Sequence, residues 1–254
     1  MPTAATIAAE LQSGQGYAVI AEILSPAEVS HLREQLTSLA ADEKAKGKLI
    51  EHNRRWRLRL VGHGDMLFDL AQLPLIRDTA EAMLGPDYVL GGLSAHALTP
   101  GAPPQGIHVD YPYSVIPEPF PETPMQMQAI IALDEFRQDN GATRVLPHSQ
   151  KARRRPDRQQ FHEQSISVLC PAGSVILSHG ALWHDSTTNH SSGTRIAVLA
   201  NFTPFWIRSV EGFPESARDP NPDHRKLLGF NFRDAHMRAV SWKREDKDAP
   251  KPPY

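Results

Sequence analysis

The chain has 254 residues, about 40% apolar and 22% charged, a make-up that suits one globular domain and excludes a disordered chain. A formal net charge of −2 gives no electrostatic reason to expect nucleic acid or an anionic membrane as a partner. No apolar run reaches the roughly 18 residues of a membrane span.

The lone cysteine, Cys170, leaves neither a disulfide framework nor a thiolate metal site, so any metal must be held by nitrogen and oxygen. Met1–Glu10 has no basic flank before a long apolar stretch, so it does not read as a leader. Together these features place the chain in a reducing, cytoplasmic setting, with no obligate protein partner evident.

In chain order, Met1–Glu10 reads as a short polar helix and Gly16–Ile20 as a short strand. Ser25-Pro26-Ala27-Glu28 combines an N-cap serine, proline at the first helical position and glutamate three residues after the cap. Val29, Leu32, Leu36 and Leu39 follow at helical spacing. Arg54–Val61 alternates as a strand, with Arg55, Arg57 and Arg59 on one face and Trp56, Leu58 and Leu60 on the other. The arginine face reads most simply as solvated; facing a cavity, it would instead predict an anionic or hydroxyl-rich substrate. Leu67–Leu84, broken at Pro74, gives two short helices that stop at Gly85-Pro86.

From Tyr88 the period changes to two. Strands are expected at 88–98, 106–111, 125–134, 143–147, 165–169, 173–179 and 195–203, with turn-rich segments between them. Many short strands without intervening helices predict a mainly β fold, an antiparallel jelly roll with the N-terminal helices packed on one sheet. One domain would span 1–242: helices to about 86, a jelly-roll core over 87–207 and an extension over 208–242. Residues 243–254, charged and proline-rich, read as a flexible tail.

Within Gly106-Ile107-His108-Val109-Asp110, strand alternation puts His108 and Asp110 on one face, where they can take adjacent positions on one cation. A His-x-Asp alone is weak evidence. Further on, a buried strand ending near His179 leads to His184, then a polar loop, then the strand that begins at Arg195. A buried arginine needs an anionic partner, and no acid of the chain is clearly placed to serve; a bound carboxylate would. Two histidines and a carboxylate match the facial triad that holds non-haem Fe(II) with positions left open.

His108-Val109-Asp110, His184-Asp185-Ser186-Thr187-Thr188-Asn189-His190-Ser191 and Arg195, eleven residues past His184, resemble the phytanoyl-CoA dioxygenase family of Fe(II)/2-oxoglutarate oxygenases. Asp139-Asn140-Gly141-Ala142-Thr143-Arg144-Val145-Leu146-Pro147 is similar to another family segment, which this chain leaves at His148-Ser149-Gln150. The resemblance implies a double-stranded β-helix, cupin-like, with iron on His108, Asp110 and His184. It implies 2-oxoglutarate as cosubstrate held by Arg195, with dioxygen as the oxidant and succinate and carbon dioxide as coproducts. Gln128, Ser186 and Asn189 are further candidates for cosubstrate binding.

The expected reaction is oxidation of a C–H bond of a small molecule, hydroxylation by default, with desaturation, epimerisation or cyclisation open to the same chemistry. Asp110 argues against halogenation, since related halogenases replace this carboxylate to admit chloride. The absence of a basic coenzyme A cleft favours the family's small-molecule tailoring branch, in secondary metabolism. The alternative from another class is a non-oxidative, cupin-like metal-dependent isomerase or ligand-binding protein.

Tyr111 and Tyr113, directly after the His-x-Asp segment, are candidates to cover the mouth of the site, with rim packing as the competing reading. His96 and Gln126 are further candidates for substrate contact. His179 reads as a strand-end histidine beside the site rather than a ligand.

Overall fold

The computed structural model describes residues 1–209 and 222–230. The expected flexible tail, and most of the expected C-terminal extension, lie outside them.

Helix α1 (Ala4–Ser13) starts on the Thr3 side chain, which accepts from the Thr6 N–H, and β1 (Tyr17–Ile20) follows. Helix α2 (Pro26–Ala45) has the capping box read from the sequence, with Ser25 accepting from the Glu28 N–H and Glu28 from the Ser25 N–H. A hairpin of β2 (Ile50–His52) and β3 (Arg55–Arg59) precedes α3 (Asp65–Asp69) and α4 (Pro74–Leu84). The core strands are β4 (Tyr88–Leu98), β5 (Met127–Ala132), β6 (Thr143–Val145), β7 (Ile166–Ser167), β8 (Val175–His179), β9 (His184–Ser186) and β10 (Arg195–Pro204). Helices α5 (Arg158–Gln164) and α6 (Pro222–Leu227) complete the described elements.

The strands form two antiparallel sheets, a large one ordered β1-β8-β5-β10-β4-β3-β2 and a small one ordered β7-β6-β9. Alternation divides the large sheet cleanly. One face, with Leu58, Leu93, Ala95, Ala129, Leu177, Val198 and Phe202, packs against α1, α2 and α4 in the main core. The other face contributes Ile130, Ala132, Ile176 and Ala197 to a second cluster with Val145 and Phe136, between the sheets. At roughly 25 cal/mol per Å² of apolar surface, these two layers supply most of the driving force for folding.

Two expectations need correcting. Residues 106–111 do not form a strand; only an isolated bridge between His108 and His184 survives there. The backbone N–H groups of Gln105 and Gly106 point to the Asp185 carboxylate instead, and that of Asp110 to the Gly180 carbonyl. Conversely, β9 falls in what reads as the start of a polar loop. Its short ladder with β6 pairs Val145 with His184 and Thr143 with Ser186.

The arginine face of β3 is also not an outer face. Its register on β4 sets Arg55 opposite Leu98 and Arg57 opposite His96, so both share the face between the sheets, while Leu58 is buried under the helices. Both faces of this strand are covered, which alternation alone cannot reveal. Arg59 is exposed.

Candidate metal centre

His108, Asp110 and His184 come together from a loop and from β9, with one ligand atom of each within 4.8 Å of the others. The His184 Nε2 lies 3.7 Å from the Asp110 Oδ1. Each imidazole turns its Nδ1 to a main-chain carbonyl, His108 to Gly106 at 2.7 Å and His184 to Leu182 at 2.9 Å. A carbonyl can only accept, so each Nδ1 carries the proton and each Nε2 is left as a lone-pair donor. Burial, then the neighbouring His184 ring, lowers the pKa of His108, favouring the neutral form a cation requires.

The support around these residues is extensive. One oxygen of Asp185 accepts from the N–H groups of Gln105 and Gly106 at 3.0 Å each, and from that of Ser186 at 2.7 Å, which ties the His108 loop to β9. Gln126 donates to Asp110 at 3.3 Å and to Asn201 at 2.8 Å. Its room exists because Gly180 has no side chain: a Cβ there would sit 2.2 Å from the Gln126 Oε1. His179 is not in the cluster. Its Nδ1 accepts from the Ala181 N–H at 3.0 Å, bracing the turn that leads to His184.

The three clustered residues line a cavity of about 200 Å³ together with Arg55, Arg57, His96, Gln128, Ser186 and Arg195. Arg195 is buried at 5% exposure; its Nη2 donates to the Gly141 carbonyl at 2.5 Å, its guanidinium lies over the Phe136 ring, and its Nε has no partner. Burial, then the charge of Arg55, brings its pKa down to about 10. Asp134, whose charge it feels, is committed to Arg33 and to the Ile196 N–H. Gly141 sits at φ +81, and a Cβ would meet Leu98 at 2.6 Å, so the expected Asn-Gly turn serves to present that carbonyl. Arg55 donates to Ser186 at 2.8 Å and to the Pro103 carbonyl. His96 bonds Ser94 at 2.9 Å; burial and the charges of Arg57, Arg195 and Arg55 push its pKa down to about 3, so it is neutral.

A second cavity of about 180 Å³ shares Arg57, Asp110 and Asn201 with the first and adds Tyr111, Gln126, Thr203 and Arg208. The other candidates from the sequence fall elsewhere. Tyr113 is fully buried with Phe120 and Trp183 and accepts from the Met125 N–H at 2.8 Å, so it packs the core instead of covering a mouth. Asn189 spends its side chain on the carbonyls of Leu98 and Gly193 and on the N–H and hydroxyl of Ser191, and it lines neither cavity. The variant turn His148-Ser149-Gln150 is structural: Ser149 accepts from the Trp183 N–H, and His148 and Gln150 bond carbonyls at the end of α1.

Residues 13–197 match the model of the phytanoyl-CoA dioxygenase (PhyH) family. The chain belongs to this family. Among its relatives is "Dioxygenase andF" of Emericella variicolor, 30% identical over 181 residues, or 67% of this chain and 62% of that protein. The match therefore spans less than two thirds of that relative. "Dioxygenase trt7" of Aspergillus terreus is 25% identical over 262 residues, covering 94% of this chain and 89% of its own. Among solved structures, the epimerase SnoN in complex with Fe3+, alpha ketoglutarate and nogalamycin RO superposes at a TM-score of 0.64. That match has 18% identity and covers 85% of this chain and 91% of that one. The likeness establishes the shared fold, the double-stranded β-helix expected from the sequence. Among the described residues no helix is long and apolar enough to cross a membrane.

Proposed function

We propose that the chain is an Fe(II)- and 2-oxoglutarate-dependent dioxygenase that oxidises a C–H bond of a small molecule, with hydroxylation as the outcome. The observation that carries this reading is that His108, Asp110, His184 and Arg195 line one cavity. Two neutral nitrogen donors and one carboxylate on one side of a cation suit iron and leave positions for other ligands. When bound there, iron, 2-oxoglutarate and dioxygen together supply the oxidising power, with succinate and carbon dioxide as coproducts.

The chain's own part is to bind, orient and exclude. Arg195, buried without an acidic partner among the described residues, would hold the distal carboxylate of the cosubstrate, since a charge so placed is costly until an anion joins it. Arg55 and Ser186, already bonded to each other, would stand beside it, with Gln128 lining the same space. Asp185 holds the His108 loop on β9, and Gln126 holds Asp110, so the ligands are set before anything binds. A cavity of about 200 Å³ is under the roughly 300 Å³ of typical ligand pockets and suits a five-carbon diacid. SnoN, an epimerase of the same fold, keeps epimerisation as a second outcome of the same site.

One anaerobic titration tests the reading. Fe(II) and 2-oxoglutarate added together should give a visible charge-transfer absorption, and air should then yield succinate. Arg195→Ala should weaken 2-oxoglutarate binding by about a hundredfold, the loss of one charge-assisted bidentate contact. A chain that gives neither band nor succinate, and whose Arg195→Ala variant behaves as the parent, is not this enzyme.

A further inference from the structure

Between the two cavities runs a hydrogen-bond chain whose direction is fixed at one end. The Gln126 Nε2 faces the Asp110 Oδ2 at 3.3 Å, the Gln128 Oε1 at 3.4 Å and the Asn201 Oδ1 at 2.8 Å. A carboxylate only accepts, so Asp110 fixes the Gln126 amide with its nitrogen forward, and Asn201 must answer with its oxygen. The Asn201 Nδ2 is thereby turned away with two N–H donors to place. Among the described residues it meets no acceptor, and it is not sealed from solvent. Asn201 stands on the inner strand β10 and lines both cavities, so these donors open into the space the cavities share.

A glycine borders the same space. Asn201 pairs with Gly92 and Phe202 with Leu90, so Gly91 is the extra residue of a β-bulge in β4. Leu90 and Leu93 both point into the main core, which leaves Gly91 on the opposite side, where it lines the second cavity. Its φ lies outside the left-handed region, so the backbone does not demand glycine. A Cβ there would meet only ordinary contacts, the Asn201 carbonyl oxygen at 3.5 Å, the Thr203 Cγ2 at 3.6 Å and the Asn201 Cβ at 3.7 Å. Neither strain nor crowding accounts for the missing side chain, which leaves close approach by a ligand as its reason.

We infer that Asn201 determines specificity by donating to an acceptor oxygen of the substrate, a carbonyl or a hydroxyl, while the substrate lies over Gly91 in the second cavity. Asn201 is two hydrogen bonds from Asp110, so the C–H bonds close to that oxygen are the ones set beside the metal centre. A pair of N–H donors repels an ammonium group, so the substrate is oxygenated, not amine-bearing, at this end. This inference rests on the oxygenase reading, and Gly91 separates the two because it lines the second cavity and not the first.

The test is calorimetry under nitrogen on the protein saturated with Fe(II) and 2-oxoglutarate, with the visible band followed in parallel. The probes are cyclohexanone, cyclohexanol and δ-valerolactam, beside cyclohexylamine, which is protonated at neutral pH. The oxygen probes should bind at millimolar concentration or better and shift the band, and the amine should bind about tenfold more weakly or worse. Asn201→Asp keeps an oxygen for Gln126 but replaces the donors by an acceptor, and it should reverse that order. Gly91→Ala and then Gly91→Val should lower oxygen-probe affinity stepwise while the band still forms. Four results overturn the inference: no oxygen probe binds, the amine binds as well, Asn201→Asp keeps the parent's order, or Gly91→Val leaves affinity undiminished. A fall in 2-oxoglutarate affinity alone in Asn201→Asp would give Asn201 to the cosubstrate and also overturn it. If no band forms at all, the oxygenase reading fails on its own, and the same probe order measured on the metal-free chain judges Asn201 and Gly91 separately.

Discussion

His108 and His184 exchange both main-chain hydrogen bonds, each N–H meeting the other's carbonyl at 3.0 Å, and their ring centroids stand 4.2 Å apart. The pairing joins the loop that carries Asp110 to β9, so two distant parts of the chain deliver the three candidate ligand atoms as one unit.

This pairing separates His184 from its neighbour His179, whose Nδ1 is taken up by the Ala181 N–H. His184→Ala or His108→Ala should remove Fe(II) binding, with affinity falling by more than about a hundredfold. His179→Ala acts only through the turn and should cost on the order of tenfold, the usual effect of a residue that orients a ligand. Anaerobic calorimetry with Fe(II) measures both, and the opposite ranking would assign the wrong histidine to the metal.

Asp185 is the more informative target because it touches no proposed ligand side chain. Removing its carboxylate in Asp185→Ala strips three main-chain N–H groups of their acceptor. Each buried donor left unpaired costs about 1–3 kcal/mol, less where water reaches it, so a total loss of at least about 2 kcal/mol is expected in urea melts. Metal affinity should fall by about 10–100-fold as the His108 loop loosens. Unchanged affinity in a folded Asp185→Ala protein would show that the loop holds its shape without this staple.

Gly180→Ala tests the arm that holds Asp110. The new methyl would meet the Gln126 side chain at its Oε1, Cβ and Cδ, all under 3.0 Å, so the whole side chain must move. Overpacking of this kind costs about 1–3 kcal/mol. Displacing Gln126 also breaks its bonds to Asp110 and Asn201. The variant should therefore melt at lower urea concentration and bind Fe(II) more weakly, whereas Gln126→Ala in the same background should recover stability by relieving the clash.

Much of this site was readable from spacing. The capping box at Ser25, the break at Pro74 and the alternation of β4, β5 and β10 all follow from local chemistry, and they appear where expected. Asn201 could also have been found, since it shares the Arg195 face of β10 by even spacing. What alternation cannot state is which face of a strand meets solvent when both are covered, and this misplaced Arg55 and Arg57. Nor does it show that a buried carboxylate such as Asp185 will draw main-chain N–H groups away from a strand ladder, which dissolved the strand expected at 106–111. Tyr113 shows a third limit: a tyrosine three residues from a candidate ligand turns inward because Phe120 and Trp183 offer it a packed environment.

Acid should destabilise the fold through His96 and His179. Burial lowers the pKa of His179 from 6.5 to about 4. Burial, followed by the nearby guanidinium charges, lowers that of His96 from 6.5 to about 3. In both cases the folded value lies below the unfolded one, so between the two values the unfolded chain binds more protons and stability rises with pH. The stabilisation is fully present above pH 6.5 and is lost as pH falls through about 4 for His179 and about 3 for His96. At about 1.4 kcal/mol per unit over the two units below the unfolded value, moving from about pH 7.5 to about pH 4.5 should cost roughly 2–3 kcal/mol for each histidine. Urea melts of the metal-free protein and of its His96→Gln and His179→Gln variants at those two pH values measure this, because His108 and His184 are common to all three and cancel. Each variant should lose less stability on acidification than the parent by roughly 2–3 kcal/mol; equal losses in all three would mean that these two histidines take up protons in the folded state as readily as in the unfolded one.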